Sequence, residues 1–165
     1  MKKISDKLIG GLNRQITAEF ESAYLYLAMA SYLQAQNLNG MAHWFRVQAD
    51  EEKRHALKIN DFMVERNITP ELGEIKAPSK QWQGVMSLFD EAYQHECRVS
   101  DMIYDLVAQG MEDKDFASLS FLQWFVDEQV QEECQSLELL EKVRLIDDVT
   151  AGLMMLDQQM GIRQE

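Results

Sequence analysis

An all-α bundle is what this sequence predicts: four long helices, a long connection between the second and third, and a short fifth helix at the end. Apolar residues recur by threes and fours along four extended stretches, the spacing of an amphipathic helix. Both prolines, Pro70 and Pro78, fall in one aperiodic run, 67–81, so nothing breaks the helices on either side of it. At 165 residues the chain suits a single domain, 1–165, with one core.

The first helix runs from about residue 5, with Ser5 as N-cap, to about residue 36, and Asn37 to Asn39 form a short turn. A second helix follows over about 40–66, making a hairpin with the first. The run 67–81 exceeds an ordinary helix-to-helix turn and lets the third helix lie parallel to the second. That third helix spans about 82–109 and ends at Gly110, after which Asp113 or Asp115 caps a fourth over about 115–146. After Asp147-Asp148 a fifth helix, about 149–160, carries Leu153, Met154, Leu156 and Met160, more apolar surface than a free tail needs. It packs on this bundle or on another subunit.

Each long helix interrupts its inward stripe with charge. In the second, Met41, Phe45, Gln48, Glu52, His55, Ile59 and Phe62 share one face, apolar at both ends and polar in the middle. The first gives Leu8, Leu12, Ile16, Glu19, Ala23, Tyr26, Ala30 and Leu33, and the third gives Val85, Phe89, Ala92, Glu96, Val99, Ile103 and Leu106. The fourth gives Leu122, Phe125, Gln129, Glu132, Ser136, Leu139 and Val143, with Glu128 on the adjoining edge. An unpaired buried carboxylate costs several kcal/mol, so four separate interruptions are expensive, whereas one shared cation cluster offsets them all. Glu-x-x-His on an inward helix face is how bundles hold di-iron or di-manganese centres. Carboxylates with one imidazole suit iron or manganese; calcium prefers oxygen alone, and zinc prefers fewer ligands with more nitrogen or sulfur.

Other classes are disfavoured. Sixteen basic against twenty-eight acidic residues give a formal charge of −12 and no Lys/Arg cluster, which argues against a nucleic-acid surface. No run approaches the roughly twenty apolar residues of a membrane span, and the amino terminus lacks a leader pattern. Cys97 and Cys134 are far apart without CxxC spacing, as expected of buried, reduced thiols in a cytoplasm. Met29, Met41, Met86, Met102 and Met111 read as gap-filling core or interface residues, Trp44, Trp82 and Trp124 as packing, and His43 and His95 as surface or supporting residues. Tyr26 has two readings, a core aromatic with a satisfied hydroxyl or a hydroxyl that acts on a metal-bound carboxylate.

On Glu19 followed by Tyr26, Glu51-Glu52-Lys53-Arg54-His55, Tyr93-Gln94-His95-Glu96 and Phe121-Leu122-Gln123-Trp124-Phe125-Val126-Asp127-Glu128-Gln129, the chain resembles the non-haem bacterial-type ferritins over essentially its full length. The resemblance implies a ferritin-like four-helix bundle with a long crossover, assembled as a hollow shell of twenty-four chains with octahedral symmetry. It implies a ferroxidase centre in each subunit that oxidises Fe(II) with O2 or H2O2 and passes Fe(III) to a stored mineral, without haem. Glu19, Glu52 and His55 match ligands of a first iron, and Glu52 bridges to a second held by Glu96 and Glu132. Gln129 matches the glutamine on the oxygen-binding side, and Tyr26 the tyrosine associated with electron supply. Glu51, Glu128 and Glu132 are available for a third iron, which Gln131 weakens by standing where relatives carry a glutamate. Asp127, Glu138 and Glu141 are candidates for collecting iron at the cavity. Bacterioferritins and rubrerythrins carry a second Glu-x-x-His that is missing here, and animal-type ferritins place acids where Ser120 and Gln123 stand. The alternative function is a soluble di-iron oxygenase or peroxidase of the rubrerythrin-like type.

Overall fold

In the computed structural model, which describes residues 3–78, 81–146 and 150–163, the chain forms five helices: α1 (Asp6–Ala35), α2 (Asn39–Glu65), α3 (Val85–Glu112), α4 (Phe116–Ile146) and α5 (Thr150–Met160). The architecture is the expected all-α four-helix bundle with a short C-terminal helix. Ser5 caps α1, its hydroxyl accepting from the backbone N–H of Leu8 at 3.1 Å. Asn37 and Asn67, just past α1 and α2, take left-handed backbone with φ of 62° and 59°, a conformation asparagine tolerates.

The third helix departs from expectation at both ends. It begins at Val85 rather than Trp82 because Gly84, its N-cap, has φ +91°. It also runs through Gly110 to Glu112, and Lys114 takes the left-handed turn instead, at φ 50°. Gly110 is buried against Leu119 of α4, where an added Cβ would lie 3.0 Å from a leucine methyl. Of the two candidate caps for α4, Asp115 accepts from the N–H of Ser118 at 3.1 Å, while Asp113 accepts from the Ser5 hydroxyl and from Gln109. The Asp147-Asp148 break and the start of α5 at Val149 lie outside the described residues.

Topology follows from the cross-helix contacts. Lys7 meets Glu112 and Tyr26 meets Glu96, so α1 and α3 are antiparallel, and α3 lies parallel to α2 as the long connection predicts. That connection is strapped along α1. The N–H groups of Glu71, Gly73 and Lys76 donate to Asn13, Thr17 and Glu21, three side chains spaced by four on one face. Exposed backbone in the crossover thereby finds acceptors without forming secondary structure.

The core has two apolar lobes. One gathers Tyr26, Met29, Leu33, Met41, Phe45, Leu88, Phe89, Leu140, Leu156 and Met160; the other gathers Leu8, Leu12, Ile16, Ile59, Met63, Ile103, Leu106, Leu122 and Phe125. Between them lie the polar positions of the four stripes. Helix α5 docks on this bundle through Leu156 and Met160. Its contact with α2 is backbone to backbone. An added Cβ on Gly40 would lie 1.7 Å from the carbonyl oxygen of Asp157, and one on Gly161 would lie 3.2 Å from the Gly40 Cα. The Asp157 carboxylate in turn accepts from the N–H of Met41 at 2.8 Å, satisfying a donor that the start of α2 leaves free. Gly40→Ala is therefore expected to dislodge α5 and lower stability by about 1–3 kcal/mol or more. Chemical denaturation together with proteolysis of the C-terminal segment checks this, and an unchanged cleavage pattern would contradict it.

Candidate metal centre

Glu19, Glu52, His55, Glu96, Gln129 and Glu132, contributed by four helices, are all buried in the layer between the two lobes. Three sets of ligand atoms come within 4.8 Å of one another: Glu19, Glu52 and His55; Glu52, Glu96 and Glu132; and His55, Glu128 and Glu132. Glu52, His55 and Glu132 each belong to two sets, and Glu52 joins the first to the second, so it stands between two adjacent groups that could hold a cation.

The hydrogen bonds are incomplete in a particular way. Nδ1 of His55 lies 3.5 Å from Glu52 Oε2 and 3.9 Å from Glu19 Oε2. Gln15 donates to Glu19 Oε1 at 2.8 Å, but Glu19 Oε2 is buried without a hydrogen-bond partner. An orphaned carboxylate oxygen in a dry layer is costly, and a cation is the natural partner for it. Gln48 donates from one nitrogen to Glu52 Oε1 at 3.0 Å and Glu132 Oε2 at 2.7 Å, tying α2 to α4. Tyr26 donates its hydroxyl to Glu96. Gln129 turns its amide nitrogen to Glu96 Oε2 and to the Ser100 hydroxyl, both at 3.3 Å, so here it orients Glu96.

Electrostatics reflect four carboxyl groups in one dry space. Burial, then the charge of Glu52, holds Glu19 well above the ordinary carboxylate range. The same two causes push Glu96 to about 8 and Glu132 to about 9. Glu52 goes the other way: burial raises it, but the hydrogen bond and charge of His55 outweigh that and leave it lowered. Without a cation the centre is therefore the Glu52 carboxylate beside His55, surrounded by carboxyls of raised pKa, of which Glu96 and Glu132 keep their protons at neutral pH. Burial and the charges of Glu96 and Glu52 hold the Tyr26 phenol well above its usual value, so it is protonated too.

Some sequence readings need amendment. Glu128 and Glu132 meet at His55, but the Glu51 carboxylate is taken by Arg163 and lies 3.6 Å from Arg54. Cys97 is half-buried and Cys134 exposed, not the buried thiols expected, because each lies off the inward stripe of its helix. Trp124 does pack, edge-on to His55 with ring centroids 5.3 Å apart, while staying 37% exposed. Met86 and Met111 are exposed, whereas Met29 and Met41 fill the core. His95 bonds Ser22 at 2.7 Å and packs against the Tyr26 ring, and burial lowers its pKa to about 4. Gln15 and Gln48 were legible in principle, since each precedes its carboxylate by four residues on a helix. Arg163 carries no such local signal.

A Ferritin-like domain model matches residues 9–146. The bacterial non-heme ferritin of Bacteroides fragilis is 34% identical over 160 residues, covering 97% of this chain and 99% of that one. That of Staphylococcus epidermidis is 32% identical, covering 97% and 96%. Among solved structures, an open-pore ferritin from Archaeoglobus fulgidus superposes with a TM-score of 0.97 at 44% identity, over 99% of this chain and all of the other. With domain, relatives and architecture in agreement across nearly its whole length, the chain belongs to the ferritin family.

Proposed function

We propose that this protein stores iron, oxidising Fe(II) with dioxygen at the buried centre of each subunit and releasing Fe(III) into the cavity of a twenty-four-chain shell in the cytoplasm. Membership of the ferritin family supports storage and a hollow assembly. Two cation positions sharing Glu52 support the oxidation step, and the observation that carries it is the buried, partnerless Oε2 of Glu19 beside Nδ1 of His55. Among the described residues no helix is long and apolar enough to cross a membrane.

In this reading iron is substrate and cargo. Two Fe(II) ions enter as protons leave Glu19, Glu96 and Glu132, and the freed carboxylates supply the hard oxygen ligands that favour Fe(III) over Fe(II). Each Fe(II) yields one electron, so a pair supplies the two that, with two protons, reduce O2 to hydrogen peroxide. Gln48 and Gln129 steer Glu52, Glu132 and Glu96 toward the ions through their amides. The hydrogen bond from the Tyr26 hydroxyl to Glu96 supports a role for it in orienting that carboxyl and exchanging a proton with it. Oxygen uptake during aerobic Fe(II) addition tests the step: two Fe(II) consumed per O2 in the first rapid phase is expected, and four per O2 from the outset would contradict a paired two-electron step.

The displaced protons give the centre a pH signature. Glu96 and Glu132 must lose protons held to about 8 and about 9, so cation affinity should rise with pH up to about 9. The slope is about tenfold per pH unit for each proton displaced. Stability of the cation-free protein runs oppositely. These two folded-state pKa values lie above their model value of 4.5, so the folded state binds more protons and stability falls as pH rises through that window. Glu52, lowered, contributes stability above its ordinary value that is lost only in acid. Denaturation at pH 6 and pH 9, with and without Mn(II), checks both signs; a cation-free protein more stable at pH 9 than at pH 6 would contradict them.

A further inference from the structure

Helix α5 and the residues after it lie against α2 and bring Arg163 beside the centre. Three contacts fix it there. The Asp157 carboxylate caps the start of α2, the His43 imidazole Nε2 donates to the carbonyl of Arg163 at 2.9 Å, and the Arg163 guanidinium lies over the Trp44 ring at 4.5 Å. From that position the guanidinium forks. Nη1 donates to Gln48 Oε1 at 2.8 Å, and Nη2 donates to Glu51 Oε2. The pair is sheltered, with side chains 18% and 28% exposed, so it is more than a solvated surface contact.

Both arms act on residues beside the cation positions. Gln48 accepts through its oxygen from Arg163 and donates through its nitrogen to Glu52 and Glu132, so the arginine fixes which end of the amide faces the carboxylates. Glu51 directly precedes Glu52 on α2, and Glu51 and Glu128 line one cleft beside His55. Held by the fork, the Glu51 carboxylate is withheld from the His55, Glu128 and Glu132 set, which thereby has one oxygen donor fewer and a fixed positive charge nearby. Planar, bidentate Arg is suited to this task in a way that Lys is not.

We propose that Arg163 is a positioning residue that limits the centre to two cations per chain, by orienting Gln48 and by keeping Glu51 out of a third position. This rests on the metal reading of the centre. A guanidinium supplied by the chain's own terminal segment takes the role in which a further cation would otherwise neutralise Glu51.

The test is a count of tightly bound Mn(II) by equilibrium dialysis on the intact assembled protein, with Glu52→Ala as the background for ions held elsewhere. Wild type is expected to hold two per chain, Arg163→Ala three, and Arg163→Ala combined with Glu51→Gln two again. Arg163→Lys, which keeps the charge but loses the fork, should bind the third ion more weakly than Arg163→Ala. If removing Arg163 disturbs α5, Glu51→Gln alone tests the same claim with the tail in place: the count should stay at two. Wild type at two with Arg163→Ala also at two overturns the inference alone, as does loss of an ion in Glu51→Gln. Wild type with no tight Mn(II) overturns the metal reading and the inference together.

Discussion

Glu52→Ala should abolish the rapid phase of Fe(II) oxidation, by at least about a hundredfold, while the helices and the assembled particle remain. Losing even a supporting partner of a metal ligand costs roughly 10–100-fold, and Glu52 is more than that, since it belongs to two of the three ligand sets. The variant also has an effect that iron does not report. The charge of Glu52 is a cause of the raised pKa values of Glu19, Glu96 and Glu132. Its removal should bring all three down toward the ordinary carboxylate range, with burial still holding them above it. Carboxyl titration of the cation-free variant by infrared spectroscopy checks this. Unchanged oxidation, or carboxyls that titrate as in wild type, would show that Glu52 does not join two cation positions of the centre.

Asp115→Ala should be strongly destabilising, at about 3–5 kcal/mol, although it lies outside the centre. Arg66, at the end of α2, donates from both terminal nitrogens to the two Asp115 oxygens, at 3.1 and 2.9 Å, with side chains only 8% and 3% exposed. The same carboxylate caps α4 at Ser118, a further contribution of about 1 kcal/mol. Alanine removes both and takes the bidentate carboxylate from a buried guanidinium, which keeps the Ser118 hydroxyl at 3.4 Å and the Phe62 ring. Asn in place of Asp keeps an N-cap oxygen and loses the ion pair, so Asp115→Asn should recover only the smaller part. Urea denaturation of the cation-free protein orders the three: wild type, then Asn, then Ala. Equal stability of the Asn variant and wild type would mean that the pair with Arg66 contributes nothing.

The bundle was legible because a 3.6-residue period survives over whole helices, and every residue of the α4 stripe from Leu122 to Val143 is indeed buried. The same period located the charge layer, since Glu19, Glu52, Glu96 and Glu132 each interrupt an otherwise apolar face, and the structure brings all four together. Helix ends were less legible. Gly110 has the residue type of a helix stop, yet what it answers to is Leu119 on the neighbouring helix, a contact that no local pattern records. Gly40 lies within one residue of the start of α2, as expected, but its lack of a side chain answers to the backbone of α5. Arg163 was missed for the same reason: it lies over a hundred positions from Glu51 and Gln48, and only the docking of α5 brings it to them.

Iron content after aerobic Fe(II) addition, measured on particles separated by size, tests the central claim most directly. Storage in a shell filled through the buried centres predicts iron far in excess of the ligand sites, travelling with a particle many times the 19.1 kDa chain. Iron that saturates at two or three per chain on a small oligomer would contradict storage and leave a di-iron enzyme in its place.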